Sequence, residues 1–174
     1  MSKKIISIVI VTMFLAGCAS GVQRAPNMAD ARTSLSANQQ VAKVSLSLTD
    51  EAKRKATENL KFNPDELLGH VKRALEANSL LNGSSDKSRP DLEIQVKDMR
   101  VRSNFTAVAF GFMAGADSIS ADVVLKDPKG NELDRFEVSA SYALGGLAGG
   151  QDSARMGWLY EKFAEVTVKE LTKQ

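Results

Sequence analysis

A single cysteine closes the run Leu15-Ala16-Gly17-Cys18, and its position divides the chain into a leader and a mature part. Lys3 and Lys4 precede a short apolar stretch, 5–15, and small residues follow at the cleavage point, which is the arrangement of a secretory signal. In a bacterial lipoprotein leader of this form the Cys18 thiol takes a diacylglycerol before the chain is cut between Gly17 and Cys18. The stretch is too short for a transmembrane helix, which needs roughly 20 apolar residues. Residues 1–17 are therefore expected to leave as a signal peptide, with Cys18 an anchor and not a redox group. No second cysteine exists, so whatever follows must be held by a buried core without disulfides.

Loss of Lys3 and Lys4 with the leader lowers the Lys+Arg count from 23 to 21, equal to the 21 Asp+Glu. A mature chain near neutrality lacks the clustered basic excess that nucleic-acid binding requires, so no nucleic-acid partner is expected. Ala19, and not an aspartate, follows the cysteine, which favours outer-membrane anchoring with the domain facing the periplasm. Several acyl chains on one residue would supply the multiple lipid signals that stable anchoring needs. Residues 18–40 are mostly Ala, Ser, Asn and Gln with almost no aliphatic periodicity, and they read as a lipidated flexible tether. Residues 41–174 are about one domain in length.

Within that domain Val44, Leu46 and Leu48 alternate with polar residues, the period of a half-buried strand. Thr49-Asp50-Glu51 can cap a short charged helix over 49–60. A firmer helix opens at Asn63 with Pro64 at its first position and Glu66 three residues after the cap. Leu67, Leu68, Val71, Ala74 and Leu75 share one side of it, and Asn82-Gly83 is expected to end it after Leu80. Leu92, Ile94 and Val96 then alternate, but the inward parity switches to Met99 and Val101, which predicts a β-bulge near Lys97-Asp98. Ala121, Val123 and Leu125, the turn Asp127-Pro128-Lys129-Gly130-Asn131, and Phe136, Val138, Ala140 and Tyr142 make 118–143 an antiparallel hairpin. Met156, Leu159, Tyr160, Phe163, Val166, Thr167 and Leu171 recur at helical spacing to about Thr172. The order β-α-β-β-β-α predicts an α+β fold, a mostly antiparallel sheet with two helices on one face.

Candidate chemistry is sparse. His70 is the only histidine, and no sequence neighbour offers a partner for acid–base work. A metal site draws on several His or Cys ligands, so neither metal nor other cofactor is expected. Asp117 and Asp122 lie five residues apart on a strand and point to opposite faces, which argues for turn, edge or surface roles and against a carboxylate pair. Among the serines no Gly-x-Ser-x-Gly elbow occurs, so hydrolase chemistry has no motif behind it.

Two small-residue segments stand out. Residues 145–151 are glycine-rich and precede the last helix without the Lys-Ser/Thr ending of a phosphate loop. Residues 105–116 are almost uncharged, too few to span a membrane and unusually apolar for a solvated loop. If the hairpin strands pair in register, both segments leave from one end of the sheet. Phe105, Phe110, Phe112, Met113, Leu144 and Leu147 are then the candidate partner-binding residues, for an envelope protein or the bilayer. The same residues walling a cavity between sheet and helices would make a small-ligand or lipid carrier instead.

Residues 105–116, Gly115-Ala116-Asp117, Ala121-Asp122-Val123-Val124-Leu125-Lys126-Asp127, Gly130, Phe136-Glu137-Val138-Ser139-Ala140, Gly145-Gly146 and 156–164 together resemble bacterial envelope lipoproteins carrying domain of unknown function 4410. The resemblance covers roughly residues 40–172 and is most specific over 114–164. It implies an α/β fold in an envelope lipoprotein and supplies no catalytic residues to carry across. A looser likeness of architecture, anchor plus compact domain, links the chain to periplasmic factors that assist assembly of secretins or curli pores, although fold does not fix function. The sequence thus leads to the expectation of a non-enzymatic, outer-membrane-anchored periplasmic lipoprotein that binds an envelope protein, with homo-oligomerisation open.

Overall fold

The computed structural model of the protein describes residues 20–25, 35, 39–59, 61–81, 88–103, 115–143 and 152–173. Five strands, β1 (Gly21–Gln23), β2 (Lys43–Leu48), β3 (Asp91–Arg100), β4 (Asp117–Lys126) and β5 (Glu132–Tyr142), form one open sheet in the order β1-β5-β4-β3-β2. All neighbours are antiparallel except β2 and β3, whose parallel pairing requires a crossover. Helices α1 (Asp50–Glu58) and α2 (Pro64–Ala77) make that crossover, and α3 (Asp152–Leu171) follows the hairpin. The fold is α+β with a mostly antiparallel sheet, and three helices lie among the described residues where two were expected to pack on the sheet.

Each element has a local cause. Thr49 caps α1 by accepting from the Ala52 amide, and Asn63 caps α2 by accepting from the amides of Asp65 and Glu66. α2 stops at Ala77, earlier than Asn82-Gly83 implied, because the chain closes a Schellman turn at once. Leu80 donates to the Leu75 carbonyl and Ser79 to that of Glu76, with Ser79 at φ 58°. The register of β3 against β4 shifts between Val96 and Asp98, the bulge that the parity switch predicted. At the hairpin tip Gly130 takes φ 87°, while the Asp127 carboxylate accepts from the Lys129 and Asn131 amides.

One face of the sheet is covered. Leu92, Ile94, Val96, Met99, Ile119, Ala121, Val123, Phe136, Val138 and Ala140 meet Leu67, Val71, Leu75, Leu159, Phe163 and Leu171 of the helices in one continuous core. The opposite face is polar. There the extra residue of the bulge, Lys97, reaches across β4 to Asp122 at 2.8 Å and Glu137 at 2.6 Å. Lys97 and then Ser120 hold the Glu137 carboxyl below its ordinary range.

The expected flexible tether is corrected in part. Residues 21–23 pair with β5 as an edge strand, Val22 packs against the core, and the Leu35 amide donates to the Leu171 carbonyl at 2.8 Å. Arg24 reaches Asp134 at 2.5 Å and Glu170 at 2.8 Å and lies 5.0 Å over the Phe136 ring. Residues 21–24 dock through backbone pairing and buried charge, which no hydrophobic periodicity reveals.

Candidate functional site

β4 and β5 pair from Asp117↔Tyr142 onward and Arg100 lies opposite Ser118, so the chain leaves β3 after Arg100, enters β4 at Asp117 and leaves β5 after Tyr142 at one end of the sheet. Arg102 gathers these three points. Its Nη1 donates to the carbonyls of Gly115 at 2.8 Å and Ala143 at 3.3 Å, and its Nη2 to that of Tyr142 at 3.3 Å. The conditional reading of the hairpin therefore holds: both small-residue segments are rooted at one place.

Asp117 sits beneath Arg102. It accepts from the Arg102 amide at 2.7 Å and from Arg102 Nη2 at 3.1 Å, and its Oδ2 lies 3.4 Å from Arg155 Nε on the first turns of α3. Arg155 in turn donates to the Arg102 carbonyl at 3.2 Å. Asp117 is 0% exposed, Arg155 2% and Arg102 4%, so the expected surface role for Asp117 is overturned. Its opposite orientation to Asp122 stands, since Asp122 pairs with Lys97 on the polar face. The reason lies in parity: Asp117 shares the inward register of Ile119, Ala121 and Val123, and a carboxylate there must bring a buried partner.

Beside this cluster Tyr142 stacks at a tilt on Trp158, with ring centroids 5.2 Å apart. Burial lifts the Tyr142 phenol above its ordinary value, and Arg102 and Arg155 work against that rise. Trp158 remains 42% exposed, although its neighbours Leu159 and Tyr160 are fully buried. Sequence periodicity set the latter two inward and left the tryptophan on the open flank of α3.

The acid–base candidate is elsewhere. His70 lies on α2 in ring contact with Tyr160 at 5.8 Å, lining a groove of about 730 Å³ between α2 and α3 with Arg73, Glu161 and Lys169. Burial first, and Arg73 second, lower its pKa below 6.5. Tyr160 accepts from the Asn63 amide at 2.8 Å, and burial pushes its phenol up to about 12. That hydrogen bond fastens the start of α2 to α3, which gives the tyrosine a packing role. Among the described residues no group of three His, Cys, Asp or Glu is placed to hold a metal ion, and no helix is long and apolar enough to cross a membrane.

Cys18, Phe105, Phe110, Phe112, Met113, Leu144 and Leu147 lie outside the described residues, as does the glycine-rich run 145–151. What sequence reasoning missed is the ring of charge at their roots: Arg102, Asp117 and Arg155. A charged residue at an inward strand or helix position was the available signal.

The chain belongs to the family Domain of unknown function (DUF4410), whose model matches residues 23–146. The match begins inside β1 and ends just past β5, so it starts earlier than the expected 40 and stops short of α3. No curated protein matches. Of solved structures, a leucine-to-methionine variant of the PelC dodecamer from Paraburkholderia phytofirmans is 14% identical at a TM-score of 0.50, covering 90% of this chain and 98% of that one. The PelC dodecamer of the same organism in a second crystal form is 13% identical at a TM-score of 0.49, covering 90% and 99%. At these identities the first likeness shows a shared fold.

Proposed function

We propose that this protein is a non-enzymatic lipoprotein, acylated on Cys18 and anchored to the outer membrane with its domain in the periplasm, that binds another envelope protein during assembly or maintenance of the envelope. The observation that carries the reading is the convergence at Arg102. Segments 104–114 and 144–151, which hold Phe105, Phe110, Phe112, Met113, Leu144 and Leu147, spring from one sheet end whose backbone carbonyls are tied to a single buried guanidinium. Apolar and aromatic side chains are what protein recognition draws on, and a rigid frame at their point of departure limits the ordering cost. A second copy of this chain belongs among the partners to test, since PelC of Paraburkholderia phytofirmans, which shares the fold, is a dodecamer.

Crosslinking in intact cells followed by mass spectrometry tests the proposal, comparing the parent with Phe110→Asp and Phe112→Asp. The reading requires a specific adduct, to another protein or to a second copy, that both substitutions remove while thermal melting stays near the parent's. Loss of folding without selective loss of association would reject the interface and return these residues to the core. Cys18→Ser material that still fractionates with the outer membrane would reject acylation as the anchor.

A further inference from the structure

We infer that the end of the domain bearing Tyr142 and Trp158 faces the lipid bilayer, so that the partner proposed above is met at the membrane surface, and that it is held there because the fold takes up the chain almost at its lipid attachment point. The inference rests on the acylation of Cys18 proposed above. β1 runs antiparallel to β5 with Gly21 opposite Ser139 and Val22 opposite Val138, so the chain traced back towards its start moves towards Tyr142. Ser20 is already fastened, its Oγ accepting from the Ser141 amide at 3.0 Å. Cys18 lies two residues before it, a reach of roughly 7 Å at full extension. A diacylated Cys18 therefore leaves almost no slack between the acyl chains and the end of β5.

That slack cannot grow while Arg24 stays in place. Its guanidinium bridges Asp134 and Glu170, whose side chains are 2% and 6% exposed, so freeing β1 would strand buried carboxylates. The short link points the Tyr142 end of the domain at the membrane and excludes a freely swinging one. The residues at that end suit the position. Trp158, the chain's only tryptophan, is exposed and in ring contact with Tyr142. An amphipathic aromatic pair of this kind is favoured at the headgroup level of a bilayer. One exposed tryptophan is ordinary on a protein surface; this one touches the end of β5 at which the incoming chain is fastened, the end to which an acylated Cys18 would bring lipid.

The single tryptophan makes the test direct. The full acylated chain, reconstituted in vesicles of phosphatidylethanolamine and phosphatidylglycerol with brominated acyl chains, should show blue-shifted Trp158 emission quenched by roughly half or more relative to unbrominated vesicles, as an interfacial ring would be. Inserting about ten Gly/Ser residues after Ala19 leaves the fold intact and adds a flexible span of roughly 17 Å, which should remove most of that quenching. Vesicle-bound, acylated protein with unquenched Trp158 overturns the inference while the anchor stands. Blue-shifted but unquenched emission does the same, by placing the ring against protein. Quenching that survives the insertion overturns the claim that the short link sets the orientation. Intact-mass analysis showing an unmodified Cys18 removes the anchor itself, an outcome distinct from the others.

Discussion

Asp117→Asn is the substitution that bears hardest on the buried cluster. It keeps the size of the side chain and the acceptor for the Arg102 amide, and removes only the charge facing two buried guanidinium groups. Breaking a buried ion pair by taking away one partner costs about 3–5 kcal/mol, since the other charge is left without compensation. Against a domain stability of about 5–15 kcal/mol this is a large fraction. For a domain of this size it corresponds to a fall in Tm of about 10–15 °C. Asp122→Asn is the control, because the same chemistry five residues along the same strand faces solvent and Lys97, where an ion pair is worth about 1 kcal/mol or less. Equilibrium urea unfolding followed by circular dichroism and Trp158 fluorescence reads both. Adding Arg155→Met to Asp117→Asn should recover part of the loss, the non-additivity expected of groups in contact. Equal midpoints for Asp117→Asn and Asp122→Asn would refute the argument that the cluster is a buried clamp.

Three further outcomes follow from the geometry. Arg24→Met should lower stability by about 3 kcal/mol or more, because Asp134 and Glu170 lose their shared cation, with the fastest amide exchange gained at residues 21–23; unchanged exchange there would show β1 docked by backbone pairing alone. Ser79→Gly should raise stability by about 0.5–1 kcal/mol, since Ser79 holds φ 58° at the end of α2, and a lowered thermal midpoint would contradict it. His70 carries the pH prediction: its folded pKa lies below 6.5, so the unfolded state binds more protons and stability falls as pH drops through and below that value. His70→Gln should therefore lose less stability than the parent between neutral and mildly acidic pH, and an identical pH slope for the two proteins would sink the assignment.

The elements legible in the sequence were those that repeat. Val44, Leu46 and Leu48 announce β2, the stripe through Leu67, Val71 and Leu75 announces α2, and the slip from Val96 to Met99 fixes the bulge to within a residue. Periodicity failed where an element is too short to show it, as in the three residues of β1, or where the chain ends a helix with a serine instead of the glycine that turn chemistry favours. It also carried more than was taken from it. Asp117 and Asp134 occupy inward positions of β4 and β5, and Arg155 and Glu170 lie buried on α3 beside Met156 and Leu171. A charge on a buried face implies a buried counter-charge, but the partner of Asp134 is Arg24, 110 residues away in the chain, and no local pattern can supply it.

The two buried clusters divide the work by position. Arg102, Asp117 and Arg155 tie the exit of β3, the start of β4 and the end of β5 to the first turns of α3, whereas Arg24, Asp134 and Glu170 tie the incoming chain to the opposite ends of β5 and α3. Hydrophobic burial is non-directional and would tolerate sliding of α3 along β5. Charge pairs with hydrogen-bond geometry at both ends of that layer would not, because any slip leaves ions buried without partners. The apolar core therefore accounts for the compact state, and the two ionic clamps for the fixed placement of the sheet end from which segments 104–114 and 144–151 depart. If Asp117→Asn and Arg24→Met each destabilise while a conservative core change such as Val138→Ile does not disturb backbone exchange at Tyr142 and Ala143, the division holds; equal loss of protection at those amides in all three would assign the placement to packing alone.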